Sequence, residues 1–180
     1  MLSFLVVLAT VAVMEWVAWI SHKYLMHGAA WGWHASHHAP RTGIFEKNDL
    51  FAIVFAGISI LLIWFGTSGI WPLQWIGAGM TLYGLLYFIA HDGLVHRRWP
   101  LGAVPRRGYL KRLYQAHRLH HANDAQDGGV LFGFLWAPSE RRLRNELEHV
   151  RTLRRAVPRQ STASSSACSN SSNSSGSPEN

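Results

Sequence analysis

The chain has 180 residues, which suffices for one domain, and 48% of them are hydrophobic. It carries 17 Lys and Arg against 10 Asp and Glu, and all but three of the basic residues follow residue 90. The single cysteine, Cys168, excludes a disulfide framework and a thiolate metal cage, and long apolar runs exclude an ordinary soluble domain.

The first predicted element is an apolar helix over residues 2–20, interrupted by one carboxylate, Glu15. Two further apolar segments, 50–71 and 73–90, are separated by a turn-rich stretch and predict a helical hairpin. Each segment approaches the about 20 apolar residues that an α-helix needs to cross a bilayer. The sequence therefore predicts three membrane spans.

Ten of the eleven histidines follow the first and third spans in one spacing that occurs twice. Each copy reads H-x4-H followed by H-x2-H-H. The first copy contains His22, His27, His34, His37 and His38, and the second contains His91, His96, His117, His120 and His121. Imidazole is the commonest metal-binding side chain. Ten imidazoles exceed what one ion can use, so the pattern predicts a site for two metal ions built from two half-sites.

Helical spacing brings the three histidines of each H-x2-H-H motif onto one face, because steps of three and four residues return to the same side. A step of five residues leaves the second side chain roughly 140° from the first on an α-helix. We therefore expect the first span to unwind near His27, with Gly28 just past its end. We likewise expect Gly93 to loosen the third span before His96.

Two carboxylates lie close to these motifs in the sequence. A metal-bound histidine usually donates its other ring N–H to an acceptor. Glu15 precedes His22 by seven residues and Asp92 precedes His96 by four, so both are candidate acceptors. For Glu15, the alternative is a polar contact between helices that has no part in the chemistry.

The second half of the chain predicts two amphipathic helices, over about residues 109–121 and 139–155. The apolar stripe of the second comprises Leu143, Leu147, Val150 and Leu153. Its arginines could rest on anionic lipid, or they could form a solvated face of a helix packed on the histidine region. Residues 130–137 are apolar but too short to cross, so they either dip into the membrane surface or cover the site. Residues 160–180 are rich in Ser and Asn and predict a disordered tail.

Charge predicts the topology, because Lys and Arg near span ends stay on the cytoplasmic side. The hairpin tip and the extreme N-terminus lack them, whereas both histidine segments are basic. Three spans then place the N-terminus outside and both histidine segments on the cytoplasmic face. The two histidine segments are joined by a hairpin with an even number of crossings, so both emerge on the same face of the membrane. A shared metal site requires this arrangement.

The motifs resemble those of the fatty acid hydroxylase/sterol desaturase superfamily of membrane non-haem di-iron enzymes, and within it those of bacterial-type beta-carotene hydroxylases. The stretches that carry the likeness are EW at 15–16, HKYLMHG at 22–28, WHASHH at 33–38, IAHDGLVHRRWP at 89–100 and AHRLHHA at 116–122. The likeness covers about residues 1–155. Members often have four predicted spans, where this chain has three clear ones.

The resemblance implies an integral membrane helical bundle, all-α, with a hydroxylase domain over residues 1–159 and all ten motif histidines as ligands of two iron ions. It implies hydroxylation of carbon 3 of the rings of beta-carotene, which gives zeaxanthin through beta-cryptoxanthin. Dioxygen and two electrons from a ferredoxin-type donor would be consumed. The expected partners are the apolar carotenoid, the ferredoxin or its reductase and membrane lipids, with no nucleic acid. The expected location is the bacterial inner membrane.

Two other classes of function are compatible with the histidines. One is a related hydroxylase or desaturase that acts on another lipid, such as a sterol or a fatty acid. The other is a membrane haem or metal-binding protein without enzyme activity. Haem ligation would require single histidines at matched depth inside the bundle, whereas these histidines cluster outside the apolar runs.

Overall fold

The computed structural model describes residues 1–41, 43–99, 104–122, 126–127 and 129–156, and all regular elements in these ranges are helical. The α-helices are α1 (Leu2–Ile20), α2 (Trp31–His38), α3 (Asp49–Thr67), α4 (Leu73–Tyr87), α5 (Gly108–His120) and α6 (Glu140–Ala156). Two π-helical segments continue α1 over Ser21–Ala29 and α4 over Phe88–Val95. The all-α class is confirmed for this part of the chain. The predicted disordered tail, 160–180, lies outside the described residues.

Three helical stretches are long and apolar enough to cross a membrane: Leu2–Ala29, Asp49–Thr67 and Leu73–Val95. Their outer faces expose large apolar side chains; Phe4, Ile53 and Ile60, for example, are each 65% exposed. Helices with such faces are stable only when lipid or protein covers them. The chain is therefore a membrane protein, with three candidate spans among the residues that the structure describes.

The three spans form a bundle in which α4 packs against both α1 and α3. Gly77 makes the contact with α3, because a Cβ atom there would lie 2.8 Å from the carbonyl oxygen of Ser59. Gly79 makes the contact with α1, where a Cβ atom would lie 2.6 Å from Cβ of Thr10. Small residues allow helices to approach closely in lipid, where the hydrophobic effect adds little. The Ser59 hydroxyl also donates a hydrogen bond of 2.7 Å to the Gly77 carbonyl.

A second layer lies at one end of this bundle, where α1 and α4 finish and α3 begins. Here α5 packs against α6 and against the second π-helical segment. The buried core of this layer comprises Leu113, Ala116, Val130, Leu131, Phe134, Ala137, Leu143 and Leu147. Of the predicted apolar stripe of α6, Leu143 and Leu147 are buried, whereas Leu153 is 54% exposed. The helix packs on the histidine region through the N-terminal part of its stripe.

Residues 130–137 connect α5 to α6 without forming a regular element. Among the described residues there is accordingly no fourth helix that could span the membrane. The segment packs against the histidines through Phe132 and Phe134.

Candidate metal centre

The π-helical segments explain how histidines five residues apart share one side of a helix. A π-helix places its backbone hydrogen bond between residues i and i+5, so those two residues lie one above the other. The backbone N–H of His96 donates such a bond, of 2.9 Å, to the carbonyl of His91. The sequence-based expectation that Gly93 loosens the helix before His96 was wrong, because no residue of Phe88–Val95 leaves helical geometry. The helix instead widens by one residue per turn.

The prediction for Gly28, just past the helix end at His27, is confirmed, whereas the prediction for Gly93 is not. Gly28 alone leaves helical geometry inside the first segment (φ −115°, ψ −116°), and helical hydrogen bonding continues to Ala29. Gly93 is buried inside the second segment, where a Cβ atom would lie 2.9 Å from the Trp99 ring. Gly28 therefore marks the turn into α2 only after His27 is in place, and Gly93 gives room to a tryptophan.

The structure brings all ten motif histidines together as two groups. In each of two sets of four, the ring nitrogens lie within 4.8 Å of one another. The first set is His22, His27, His34 and His120, and the second is His37, His96, His117 and His121. The remaining two histidines join one set each. Nε2 of His38 lies 3.2 Å from Nε2 of His34, and Nε2 of His91 lies 3.2 Å from Nε2 of His37.

The two groups do not correspond to the two sequence copies, because each copy contributes one histidine to the other group. In α2, His34 and His38 face the first group, while His37 faces the second. In α5, His120 faces the first group instead. The groups adjoin, since the ring centroids of His38 and His121 are 4.5 Å apart. Each ion would therefore be held by both halves of the chain.

Ring orientation in the first group tests whether it fits a cation. Nδ1 of His22 lies 3.0 Å from the Phe132 carbonyl oxygen, and Nδ1 of His34 lies 2.7 Å from Oδ1 of Asn48. Both oxygens can only accept, so each neutral ring carries its proton on Nδ1 and keeps a lone pair on Nε2. These two Nε2 atoms are 3.1 Å apart. Opposed lone pairs repel each other, whereas a cation between them would bind both.

The histidine rings of the second group are also oriented to bind a cation. Nδ1 of His37 lies 3.2 Å from Oε2 of Glu46, and Nδ1 of His91 lies 2.7 Å from Oδ1 of Asp92. Their Nε2 atoms are again turned towards each other, at 3.2 Å. Carboxylate acceptors raise the basicity of the imidazoles they contact and fix the tautomer. The donor set therefore fits two imidazole-bound metal ions.

The two carboxylates predicted as acceptors have different outcomes. Asp92 does accept from a histidine, but the partner is His91 and not His96, because the π-helical turn directs it back to its neighbour. The Glu15 carboxylate is directed to the backbone of residues 134–136 and to Tyr83, and not to His22. The sequence-based expectation for Glu15 was therefore wrong in its partner.

Besides the contact of His22 with the Phe132 carbonyl, sequence reasoning missed three contacts of the ring nitrogens. Asn48 and Glu46 lie on the loop between α2 and α3, and the third is the backbone carbonyl of Gln126, 2.8 Å from Nδ1 of His27. Neither loop residue stands at a helical spacing from its histidine, and a backbone carbonyl has no sequence signal. Only the fold could identify them.

Burial keeps the histidines outside the spans neutral. It lowers the pKa of His34, His96 and His121 to about 3 each, and neighbouring histidines add to the shift. Burial also holds the pKa of His37, His117 and His120 well below the usual value. Neutral imidazole is the form that binds metal. The centre is thus ready to take up metal ions at neutral pH without first losing protons.

An open cavity of about 980 Å³ reaches the second group. Its floor is formed by His37, His38, His96, His117 and His121, and its rim carries the exposed Arg41 and Arg118. Trp31 and Val95 complete part of the wall. This cavity connects the second group with the outside of the protein.

Residues 7–139 match the family model described as fatty acid hydroxylase. The chain belongs to the fatty acid hydroxylase family. It is 66% identical over 134 residues to a beta-carotene hydroxylase of Pantoea ananas, covering 74% of this chain and 77% of the relative. It is 53% identical over 156 residues to a beta-carotene hydroxylase of Paracoccus sp. (strain PC1), covering 86% and 96%.

Plant members of the family are more distant. The chain is 42% identical over 136 residues to the chloroplastic beta-carotene 3-hydroxylase 1 of Arabidopsis thaliana, covering 73% of this chain and 43% of the relative. No solved structure matches the chain. All ten motif histidines fall within the part matched by the family model.

Proposed function

We propose that this protein is a membrane non-haem di-iron monooxygenase that hydroxylates carbon 3 of the rings of beta-carotene. The product would be zeaxanthin, formed through beta-cryptoxanthin. One observation carries the proposal. Two groups of five imidazoles stand at one end of three apolar spans, in a chain 53% to 66% identical to proteins named beta-carotene hydroxylase.

The reaction requires a metal, because no side chain can attack an unactivated C–H bond. Iron held by the ten histidines would supply the oxidising chemistry. In balance, one C–H bond, one O2, two electrons and two protons give one C–OH and one water. The residues of this chain have other tasks. The oxygen atoms of Asn48, Glu46 and Asp92 hold their histidines in the metal-binding tautomer.

Water exclusion is supplied by aromatic residues around the histidines. The Phe132 ring lies 5.5 Å from the ring of His22, and the Tyr87 ring stacks 4.3 Å from the ring of His91. Tyr87 belongs to α4, so at least one of these aromatic rings lies between a span and the histidines. A substrate dissolved in the bilayer would thus approach the centre without passing through water.

The electrons would come from a ferredoxin-type protein on the cytoplasmic side of a bacterial inner membrane. This assignment is supported by the cavity over the second group, whose rim carries Arg41 and Arg118. It is also supported by the concentration of basic residues in the histidine segments, which favours the cytoplasmic side. A donor with an acidic face would match such a rim.

The test is expression in a bacterium that makes beta-carotene, followed by pigment analysis. Beta-cryptoxanthin should appear first and decline as zeaxanthin rises, because both ends of beta-carotene carry the same ring. Lycopene, which has no ring, should remain unmodified. The purified protein should contain iron and show no Soret band. Unchanged beta-carotene in cells with adequate protein, iron and reductant would reject the proposal and favour another lipid substrate.

A further inference from the structure

The segment 130–137 follows a path that an unanchored loop could not take. Its residues 134–136 contact Glu15, which lies seven residues before His22 on α1. At about 1.5 Å per residue, the Glu15 backbone lies roughly 10 Å along α1 from that of His22, inside the first candidate span. Irregular backbone at such depth is stable only where its polar groups have partners inside the protein.

Glu15 supplies those partners. Its Oε1 atom accepts the backbone N–H groups of Phe134, Leu135 and Trp136, at 2.7, 2.8 and 3.1 Å. Its Oε2 atom accepts the hydroxyl of Tyr83 at 2.8 Å. All four partners are donors, which suits an ionised carboxylate, since that group only accepts. One side chain thus satisfies three consecutive backbone groups of the segment.

The segment is shaped for this contact at Gly133. A Cβ atom at this position would lie 2.9 Å from Oε1 of Glu15, closer than side-chain carbon normally approaches oxygen. A Cβ atom there would require the end of the Glu15 side chain to shift away from the segment. The carboxylate and the glycine therefore form two sides of one fitted contact.

The other part of the segment contacts the metal centre directly. The Phe132 carbonyl faces Nδ1 of His22 at 3.0 Å, and the Phe132 ring lies 5.3 Å from the ring of His27 and 5.7 Å from that of His120. The Phe134 ring lies 6.0 Å from the ring of His91. Phe132 is two residues from the first N–H group that Glu15 holds, so a shift at Glu15 would move both the carbonyl and the ring.

We propose that Glu15 is a positioning residue for the reaction. Through residues 133–136 it fixes the Phe132 carbonyl that orients His22, and it fixes Phe132 and Phe134 as the apolar wall that an incoming substrate ring meets. Glu15 touches neither the metal nor the substrate. The inference rests on the proposed function, because its activity assay measures hydroxylation. The contact between Glu15 and residues 134–136 can be measured without that assay.

The experiment compares Glu15→Leu with Glu15→Gln in the full-length protein in lipid nanodiscs. Leu has no acceptor, so amide exchange of the peptide covering 133–136 should accelerate at least about tenfold, because its hydrogen bonds are lost. Zeaxanthin formation should fall by about 10- to 100-fold, the usual effect of losing the partner of a metal-bound histidine. Gln keeps an acceptor oxygen at nearly the same place and should restore much of both.

Gly133→Ala gives the same test from the other side of the contact, because it leaves Glu15 and all three spans unchanged. It should accelerate exchange at 133–136 and reduce zeaxanthin, but less than Glu15→Leu does, because the displaced carboxylate is still an acceptor. The matched control is Gly57→Ala on the exposed face of α3, where a Cβ atom meets nothing within 4 Å. This control should behave as wild type. If Glu15→Leu does not accumulate, Gly133→Ala and Glu15→Gln decide the matter.

Two results would overturn the inference. One is wild-type exchange at 133–136 in Glu15→Leu or Gly133→Ala. The other is faster exchange together with a wild-type rate and wild-type iron content. A wild-type protein that makes no hydroxylated carotenoid would refute the proposed function instead, while the exchange measurement would still report on the Glu15 contact.

Discussion

The Oδ1 atom of Asp92 lies 2.7 Å from Nδ1 of His91, although the two residues are neighbours in the chain. The other carboxylate oxygen accepts from Arg98 at 3.1 Å, and Arg98 also forms a two-bond ion pair with Asp49 at the start of α3. A histidine of the metal centre is thereby connected to two of the three spans. This connection allows the position of one imidazole to depend on how the spans are packed.

Replacing Asp92 with Ala should weaken metal binding. His91 would lose the acceptor that fixes its tautomer, and such losses reduce metal affinity by about 10- to 100-fold. The measurement is iron per chain after titration with a chelator. Asp49→Asn is the matched control, since it disturbs Arg98 but leaves the contact between Asp92 and His91 in place. Equal iron loss in both variants would show that the ion pair, and not the histidine contact, supports the centre.

The membership of the two histidine groups predicts which pairs of substitutions have additive effects on iron content. If each group of five histidines holds one ion, as proposed, His34→Ala and His120→Ala remove ligands of the same ion, so their effects on iron content should not add. His34→Ala combined with His96→Ala should lose both ions, because these residues belong to different groups. His149, which is exposed on α6 and lies outside the pattern, provides the control, and His149→Ala should retain both iron and hydroxylation. Additive loss in the first pair would contradict the assignment of groups.

The helices and the histidines could be predicted from the sequence, but their pairing could not. Apolar runs of span length give α1, α3 and α4, because hydropathy depends only on composition along the chain. The step from His91 to His96 was misread, since an α-helix was assumed and a π-helical turn has no sequence signature of its own. The partner of Glu15 was missed for a different reason. Backbone N–H groups 119 residues away become its donors only after the chain folds.

Acid should destabilise the metal-free protein. His34, His96 and His121 have pKa values of about 3 when folded, against about 6.5 when unfolded. Between these values the unfolded chain binds more protons, so the free energy of unfolding rises with pH in this window and is lost as pH falls through it. The thermal unfolding midpoint of metal-free protein should therefore be constant above about pH 7 and decline below about pH 6. An unchanged midpoint at about pH 5 would refute this prediction.

Topology can be tested with reporter fusions at positions 45, 105 and 69. Position 45 follows the first histidine copy, and position 105 lies within the second, between His96 and His117. Fusions at both positions should report the cytoplasmic side. A fusion at 69, between α3 and α4, should report the opposite side. The charge pattern favours this orientation. Opposite results for 45 and 105 would contradict a metal centre shared by the two motifs, whereas reversal of all three would change only the side of the membrane.

The rim of the cavity predicts where the electron donor binds. Arg118 is exposed beside His117 and His121, so an acidic donor that docks there would bring its electron close to the second group. Reversing this charge in Arg118→Glu should reduce the donor-dependent rate by about tenfold at low salt, because steering by charge affects association. The defect should shrink towards about 1 M salt, where the screening length is about 3 Å.

Arg144→Glu is the matched control for that experiment, since Arg144 is exposed on α6, pairs with Glu140 and does not line the cavity. Its donor-dependent rate should equal that of wild type. A small chemical reductant should bypass docking and bring Arg118→Glu close to the wild-type rate, because the reductant needs no protein surface. An equal defect with the donor and with the chemical reductant would mean that Arg118 acts on the metal centre itself, and that the donor binds elsewhere.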